Sequence, residues 1–314
     1  MFKIAALGLI LLVLSLNAQM LSRTKVLMGT FVTLSLEKKD KKYIQPAFKL
    51  LENIEKSISS YKESSPISIL NTHGYTHLDT YSYEALCLGK RYYKESEGYF
   101  NIAIGSITKD AYRFGENERV VSAKMLREFS TTLQELDFNK TEATLGKGVK
   151  IDLGGMGKGY SIDKVAEFFK KHNISRAKIA LSGDIRCLGP CTIEVNNPLC
   201  DTPLASFSIN ESGVSTSGDY NRYVKDTKHN HLINPKTKAS QQNFISVTLI
   251  SKLPNSDLDA YATAVSVMPK EKAYGFLHNK AVAYIILERN KQLHISKNID
   301  EYVEELLINN TLKE

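Results

Sequence analysis

The chain predicts an α+β fold, a mixed β-sheet with flanking helices, and three observations point there. Thr30 to Leu36 alternates apolar and polar residues as a half-buried strand does. Ile44, Ala47, Phe48, Leu51, Ile54 and Ile58 recur at helical spacing and make one apolar stripe. Val149 to Leu153 reads as a strand that runs into a glycine cluster, after which Ile162, Val165, Ala166 and Phe169 mark one face of a helix ending before Asn173.

Downstream, further strands are expected at Lys178 to Leu181, Thr192 to Val195, Ser246 to Ile250 and Val282 to Leu287, with Gln292 to Ser296 as a hairpin partner. Asp259 to Val265 is apolar enough, at the right spacing, to be helical. No linker, repeat or low-complexity tract interrupts residues 19–314, which read as one compact unit, in one or two lobes.

Composition narrows the class. With 314 residues, 42% hydrophobic and 24% charged, the chain is neither disordered, fibrous nor polytopic, and its core needs no disulfide or structural metal to make up for small size. Lys+Arg 41 against Asp+Glu 34 gives +7, which favours anionic ligands. The basic residues form no stripe, so no nucleic-acid partner is expected.

The apolar run from Ile4 to Leu16 behind Lys3 has the length of a secretory signal core and is short of the roughly 20 residues a membrane helix needs. Residues 1–18 are read as a signal peptide and 19–314 as the catalytic domain. A cut after Ala18 satisfies the small-residue preference, whereas Leu16 fits it poorly, so an uncleaved inner-membrane anchor stays open beside cleavage. The first cysteine is Cys87, which excludes a lipidated cysteine at that junction. A periplasmic location follows, with peripheral membrane contact or none. Cys187, Cys191 and Cys200 are close enough for one local bridge, and buried thiols explain them equally well.

Residues 152–163, Asp-Leu-Gly-Gly-Met-Gly-Lys-Gly-Tyr-Ser-Ile-Asp, form a glycine-rich turn with a lysine between strand and helix. Glycines admit close backbone approach, amides at a helix start point at an anion, and Lys158 adds a full charge. A Walker loop fails at Asp152 and Gly159, and a dinucleotide fingerprint fails at Tyr160. A tight strand-to-helix connection that binds nothing is the alternative. Ser182 to Arg186, Ser215 to Tyr220 and His231 to Thr237 would each be ordinary turns in isolation, and together they suggest a composite site. His231 has no further zinc ligand at motif spacing, and a merely exposed histidine is its plainer reading. Asp259 and Thr263, four apart on a helix, put a carboxylate and a hydroxyl on one side; with a backbone carbonyl they make the sparse oxygen site that Mg²⁺ accepts. Helix capping by Asp259 with a buried Thr263 is the alternative.

This constellation resembles the ApbE family, the FAD:protein FMN transferases, in motifs that follow one another along nearly the whole mature chain. Met28-Gly29-Thr30 is similar to its opening signature. The block from Glu52 to Asn71, Gly98-Tyr99-Phe100-Asn101, Asp152 to Asp163, Gly183 to Arg186, Thr216 to Tyr220, His231 to Thr237 and Asp259 to Thr263 follow in order. The resemblance implies a Mg²⁺-dependent exported enzyme with its FAD cleft between lobes. It would split FAD, place FMN on a Thr or Ser hydroxyl of an acceptor protein, and release AMP. The implied acceptors are subunits of membrane redox complexes or other exported flavin carriers. The implied metal ligands are Asp259, Thr263 and the carbonyl of Gly157. Lys158, Gly155 and Asp163 map to the FAD-binding loop and helix start, and Met28 and Tyr61 to the neighbourhood of the flavin or adenine. Asp184, Thr216 and Ser217 map to the polar walls. His231 maps near the acceptor and is taken as the base, with Lys158 as the charge on the pyrophosphate. Asn101, Ser182, Asn234 and Lys238 depart from the family pattern, which commonly has Asp, Gly, Asp and Gly there. No Gly-Ala-Thr acceptor signal occurs in this chain, so it is not expected to flavinylate itself. A pyrophosphatase that uses water in place of the acceptor, and a noncatalytic FAD-binding protein, are the competing functions.

Overall fold

Val32, Leu34 and Leu36 point to one side of a strand and are fully buried, and the main sheet grows outward from them. The fold, taken from a computed structural model, is described for residues 19–309; the expected signal segment 1–18 lies outside the described residues. The strands are β1 Met20–Leu27, β2 Thr30–Glu37, β3 Tyr75–His77, β4 Leu136–Phe138, β5 Glu142–Leu145, β6 Ala177–Leu181 and β7 Asp184–Leu188. They continue as β8 Pro190–Val195, β9 Ala205–Asn210, β10 Gly213–Gly218, β11 Phe244–Ser251, β12 Ala283–Glu288, β13 Leu293–Ile295 and β14 Glu304–Ile308. The helices are α1 Ile44–Ile58, α2 Pro66–His73, α3 Thr80–Glu95, α4 Ala123–Leu126, α5 Gly157–Lys171, α6 Asn255–Val267 and α7 Lys270–His278.

An 8-stranded sheet runs β1-β2-β6-β7-β10-β11-β12-β13, beside two 3-stranded sheets, β14-β9-β8 and β3-β5-β4. The class is α+β, as the patterning predicts. Directions do not mix, however: every ladder among the described residues is antiparallel. The connections explain why. β1–β2 and β6–β7 are hairpins, and β11 reaches β12 through two helices instead of the single crossover that a parallel pair uses. Cys187, at the end of β7, is bonded to Cys191 in β8 across the turn at Gly189.

Three packing layers follow from the apolar faces. Phe48 and Leu51 of α1 with Ile162, Val165 and Phe169 of α5 cover Val32, Leu34 and Ile179 on one side of the sheet. Phe207 and Ile209 of β9 meet Val214, Ile250 and Ile285 in a second layer. α6 is buried nearly all round, its apolar residues Leu258, Ala262 and Val265 packing in one cluster with Val247 and Leu249 of the sheet and with residues of α1 to α3.

Val149 to Leu153, expected as a strand, is extended but joins no sheet. Its backbone groups are satisfied elsewhere, as buried ones must be. The Asn71 side chain accepts from Ile151 N at 2.6 Å and donates to Ile151 O at 2.8 Å, while Gly105 N donates to Lys150 O at 3.0 Å and Asp152 N to Ile102 O at 2.7 Å. α5 starts earlier than its apolar stripe suggests, because the glycine cluster itself supplies the first turn.

The crossing of α5 and α6 fixes the site. Gly159 lies so close to the backbone of Asn255 and Ser256 that a Cβ there would collide with the Asn255 carbonyl. Asp163 caps α6 from across that contact, its two oxygens accepting from Asn255 N at 2.7 Å and Ser256 N at 2.9 Å. Burial pushes the Asp163 pKa up against these bonds.

Gly159→Ala should therefore destabilise the protein by about 2 kcal/mol in urea titration, the collision outweighing the ~1 kcal/mol that alanine gains in a helix; an unchanged midpoint would show that α5 and α6 are not in this contact. Asp163→Ala should cost about 2 kcal/mol in the same measurement by orphaning two amides, and Asp163→Asn less.

Candidate active site

Turns that end secondary structure elements converge on one cleft of about 870 Å³, a volume suited to a nucleotide-sized ligand. Its walls are the β1–β2 turn at Met28 to Thr30, the loop after α1 through Tyr61, the 99–115 segment, the glycine bend with Lys158, the loops around Ser182 and Thr216 to Gly218, and His231 to Ile233. Asp259 and Thr263 complete the lining from α6.

The polar floor is an ion cluster. Lys158, the second residue of α5, puts Nζ 3.1 Å from Asp184 Oδ2 and 3.4 Å from both carboxylate oxygens of Asp259. Asp259 Oδ2 also accepts from Gly159 N at 3.0 Å, an amide of the first turn of α5, where the helix dipole favours negative charge. Asp184 accepts from Ser215 Oγ, while its buried Oδ2 has no aligned hydrogen-bond donor despite the nearby ammonium. Two buried carboxylates thus share one cation, and the charges do not balance. Burial and the Asp184 charge push the Asp259 pKa up to about 7 against Lys158 and Gly159 N. Burial alone would lower the Lys158 pKa, yet Asp184 and Asp259 together raise it.

Thr263 Oγ1 donates to the Gly155 carbonyl at 3.2 Å. The Gly157 carbonyl, expected beside Asp259 and Thr263 as a metal ligand, accepts from Ser161 Oγ at 2.7 Å, and Gly157 lines the cleft with both side chains. Asp259 and Thr263 thus come together with the glycine bend, Gly155 and Gly157 included, as a hard-oxygen group at the cleft. The unbalanced carboxylate charge, beside the Asp259 and Thr263 oxygens, fits a hard divalent cation such as Mg²⁺. Among the described residues no three His, Cys, Asp or Glu side chains cluster, so such an ion would depend on hydroxyl, carbonyl and ligand oxygens.

The remaining expected residues divide. Met28, Tyr61, Gly155, Thr216, Ser217 and His231 line the cleft. Met28 adopts φ 54°, and its amide donates to Glu55 Oε1 at 2.8 Å, which pins the β1–β2 turn to α1. Thr216 Oγ1 is paired with Thr248 Oγ1 at 2.9 Å. Asp163 and Asp184 do not line it: Asp163 caps α6, and Asp184 lies beneath Lys158.

His231 Nδ1 lies 3.0 Å from the Arg222 carbonyl. A carbonyl only accepts, so Nδ1 carries the proton and Nε2 keeps its lone pair. Burial, with the Arg222 and Lys158 charges, lowers the His231 pKa to about 4 against that hydrogen bond. Three further residues escape the sequence reading as site residues. Asp152 accepts from Thr108 Oγ1 at 2.6 Å and Gly154 N at 2.9 Å; burial pushes its pKa up, and Lys109 with these two donors more than offsets it. Arg222 and Lys109 flank Tyr61. Asp152 and Arg222 adjoin recognised motifs, whereas Lys109 lies in an irregular stretch with no periodic signal.

Comparison with known proteins finds relatives over most of the chain. The chain is 27% identical over 290 residues to the FAD:protein FMN transferase of Klebsiella pneumoniae, covering 88% of this chain and 91% of that one. It is 24% identical over 296 residues to the FAD:protein FMN transferase of Treponema pallidum, covering 83% and 81%. Its fold matches the crystal structure of the ApbE protein of Thermotoga maritima with TM-score 0.84 at 23% identity, over 91% of this chain and all 100% of that one. The flavin transferase ApbE of Vibrio cholerae matches with TM-score 0.78 at 19% identity, over 91% and 99%. The model of the ApbE family spans residues 28–286, from the β1–β2 turn to within β12 and so across every wall of the cleft, and the chain belongs to the ApbE family.

Proposed function

We propose that this chain is an FAD:protein FMN transferase, which moves FMN from FAD to a Thr or Ser hydroxyl of an acceptor protein and releases AMP. The observation that carries the reading is the floor of the cleft, where Lys158, Asp259 and Thr263 meet the glycine bend with one carboxylate charge left over. The family membership and the names of the relatives support the same activity.

Asp259 and Thr263, with the Gly157 carbonyl, would hold Mg²⁺. Bound there, Mg²⁺ supplies positive charge against the pyrophosphate oxygens. The chain's own residues do the rest. Lys158 presents a fixed ammonium at the α5 N-terminus, where the helix dipole also favours phosphate charge. His231 Nε2, neutral and facing the cleft, takes the proton from the acceptor hydroxyl. A bond forms between that oxygen and the FMN phosphorus, the pyrophosphate P–O bond breaks, and AMP leaves. Alignment and charge dominate such transfers, which is why a buried ion cluster and one base suffice.

An exported, periplasmic setting is part of the proposal, supported by the apolar segment Ile4 to Leu16. Among the described residues no helix is long and apolar enough to cross a membrane. Acceptors would be flavin-carrying subunits of membrane redox complexes or other exported flavin carriers.

Purified protein incubated with FAD and Mg²⁺ should add the mass of FMN to an acceptor domain bearing Gly-Ala-Thr and release one AMP per FMN transferred. Free FMN formed equally with and without acceptor would mean a pyrophosphatase, and an unreactive FAD complex a binding protein. Asp259→Asn should abolish transfer while the protein still folds. His231→Asn should slow transfer about 100-fold; wild-type rates in that variant would remove the base. The low pKa of His231 has a stability signature as well. Between about pH 6.5 and 4 the unfolded chain binds a proton that the folded histidine refuses, so wild-type stability relative to His231→Asn should fall as pH drops from 7 to 5, by about 1 kcal/mol after discounting for solvent in the cleft. Urea titrations of both proteins at the two pH values check this.

A further inference from the structure

One wall of the cleft hides a cation that the pyrophosphate site does not use. Lys109, in the π turn Ser106–Ala111, holds Nζ 3.6 Å from the centroid of the Tyr61 ring, shielded from solvent and with no hydrogen-bond partner. A dry ammonium is costly unless negative potential surrounds it. Here that potential comes from the ring face and from the nearby Asp152 carboxylate. Tyr61 is itself fixed at both ends of its hydroxyl, which donates to the Phe114 carbonyl at 3.1 Å and accepts from Arg222 Nη2 at 2.9 Å. Gly115, at φ 87°, makes room for this arrangement, since a Cβ there would come within 3.3 Å of the Arg222 guanidinium and 3.5 Å of the ring. Tyr61 remains 46% exposed and lines the cleft, so with one face covered by Lys109 the other is open to a ligand.

A cation on one face draws π-density toward itself and leaves the opposite face electron-poor. Such a face stacks best with an electron-rich heterocycle. Adenine, with its amino group, is one; oxidised isoalloxazine, with two carbonyls on a conjugated ring, is not. We propose that Lys109 is a positioning residue that makes Tyr61 the stacking platform for the adenine end of the dinucleotide and disfavours the flavin there. This rests on FAD being the substrate. Flavin and adenine would then be sorted to opposite ends of the cleft by the electronics of one ring, without a hydrogen bond to either base.

The test is the dissociation constants of ADP and FMN, measured by calorimetry with Mg²⁺ present, for wild type, Lys109→Met and Lys109→Arg. Lys109→Met should weaken ADP about fivefold and leave FMN within about twofold. Lys109→Arg, which keeps the cation, should restore ADP binding. In FAD turnover the loss should fall on KM more than on kcat. Tyr61→Leu, which keeps Lys109 under an aliphatic side chain, should weaken ADP at least as much and serves if Lys109→Met fails to fold. Loss of FMN instead of ADP affinity would place the flavin on Tyr61 and overturn the inference. Unchanged ADP affinity in folded Lys109→Met would reduce Lys109 to packing, with the transferase reading intact. A wild-type protein that binds neither ADP, FMN nor FAD would overturn that reading as well.

Discussion

The site depends on one electrostatic constraint: a single lysine ammonium held between two buried carboxylates. Lys158 lies 3.1 Å from Asp184 and 3.4 Å from Asp259, and among the described residues neither acid has another ion-pair partner. Removing two carboxylates and one ammonium from water leaves a net negative charge in a region of low dielectric, which is unfavourable until a proton or a further cation arrives. The high pKa of Asp259 is the proton's answer. In the proposed reaction a divalent cation would take that place and bring substrate phosphates with it. Asp184 thus has a different part from the one its motif implies: it lies under the lysine and fixes where the ammonium points.

That constraint needs close helices. Asp259 reaches Lys158 and the Gly159 amide because α5 and α6 cross with no side chain between them at Gly159, and because Asp163 ties the start of α6 to α5. The glycines of the bend therefore serve packing, beside the anion binding proposed for them. Gly159 admits a neighbouring helix, while Gly155 presents its carbonyl to Thr263.

Much of this was legible in the sequence. The alternation over Thr30 to Leu36 and the stripe from Ile44 to Ile58 gave β2 and α1 nearly to the residue, because each buries one face only. The four-residue spacing of Asp259 and Thr263 put both into the cleft, as helix geometry requires. Elsewhere the local pattern was insufficient. Val149 to Leu153 has the composition of a strand, but Asn71, far away in sequence, takes its hydrogen bonds. Asp163 carries oxygens suited to a ligand, but the start of α6 claims both. The sheet's uniform antiparallel pairing depended on connection topology, which periodicity does not encode. Lys109 carried no pattern at all, since its meaning comes from the ring it lies under.

The central claim is that the excess negative charge at Lys158 recruits a divalent cation to Asp259 and Thr263. Anomalous diffraction from crystals soaked in Mn²⁺ and FAD tests it most directly. The account predicts one strong peak within coordination distance of a carboxylate oxygen of Asp259 and of Thr263 Oγ1, adjoining the FAD phosphates. A cleft with FAD bound and no peak there, or with the metal held away from both side chains, would contradict it.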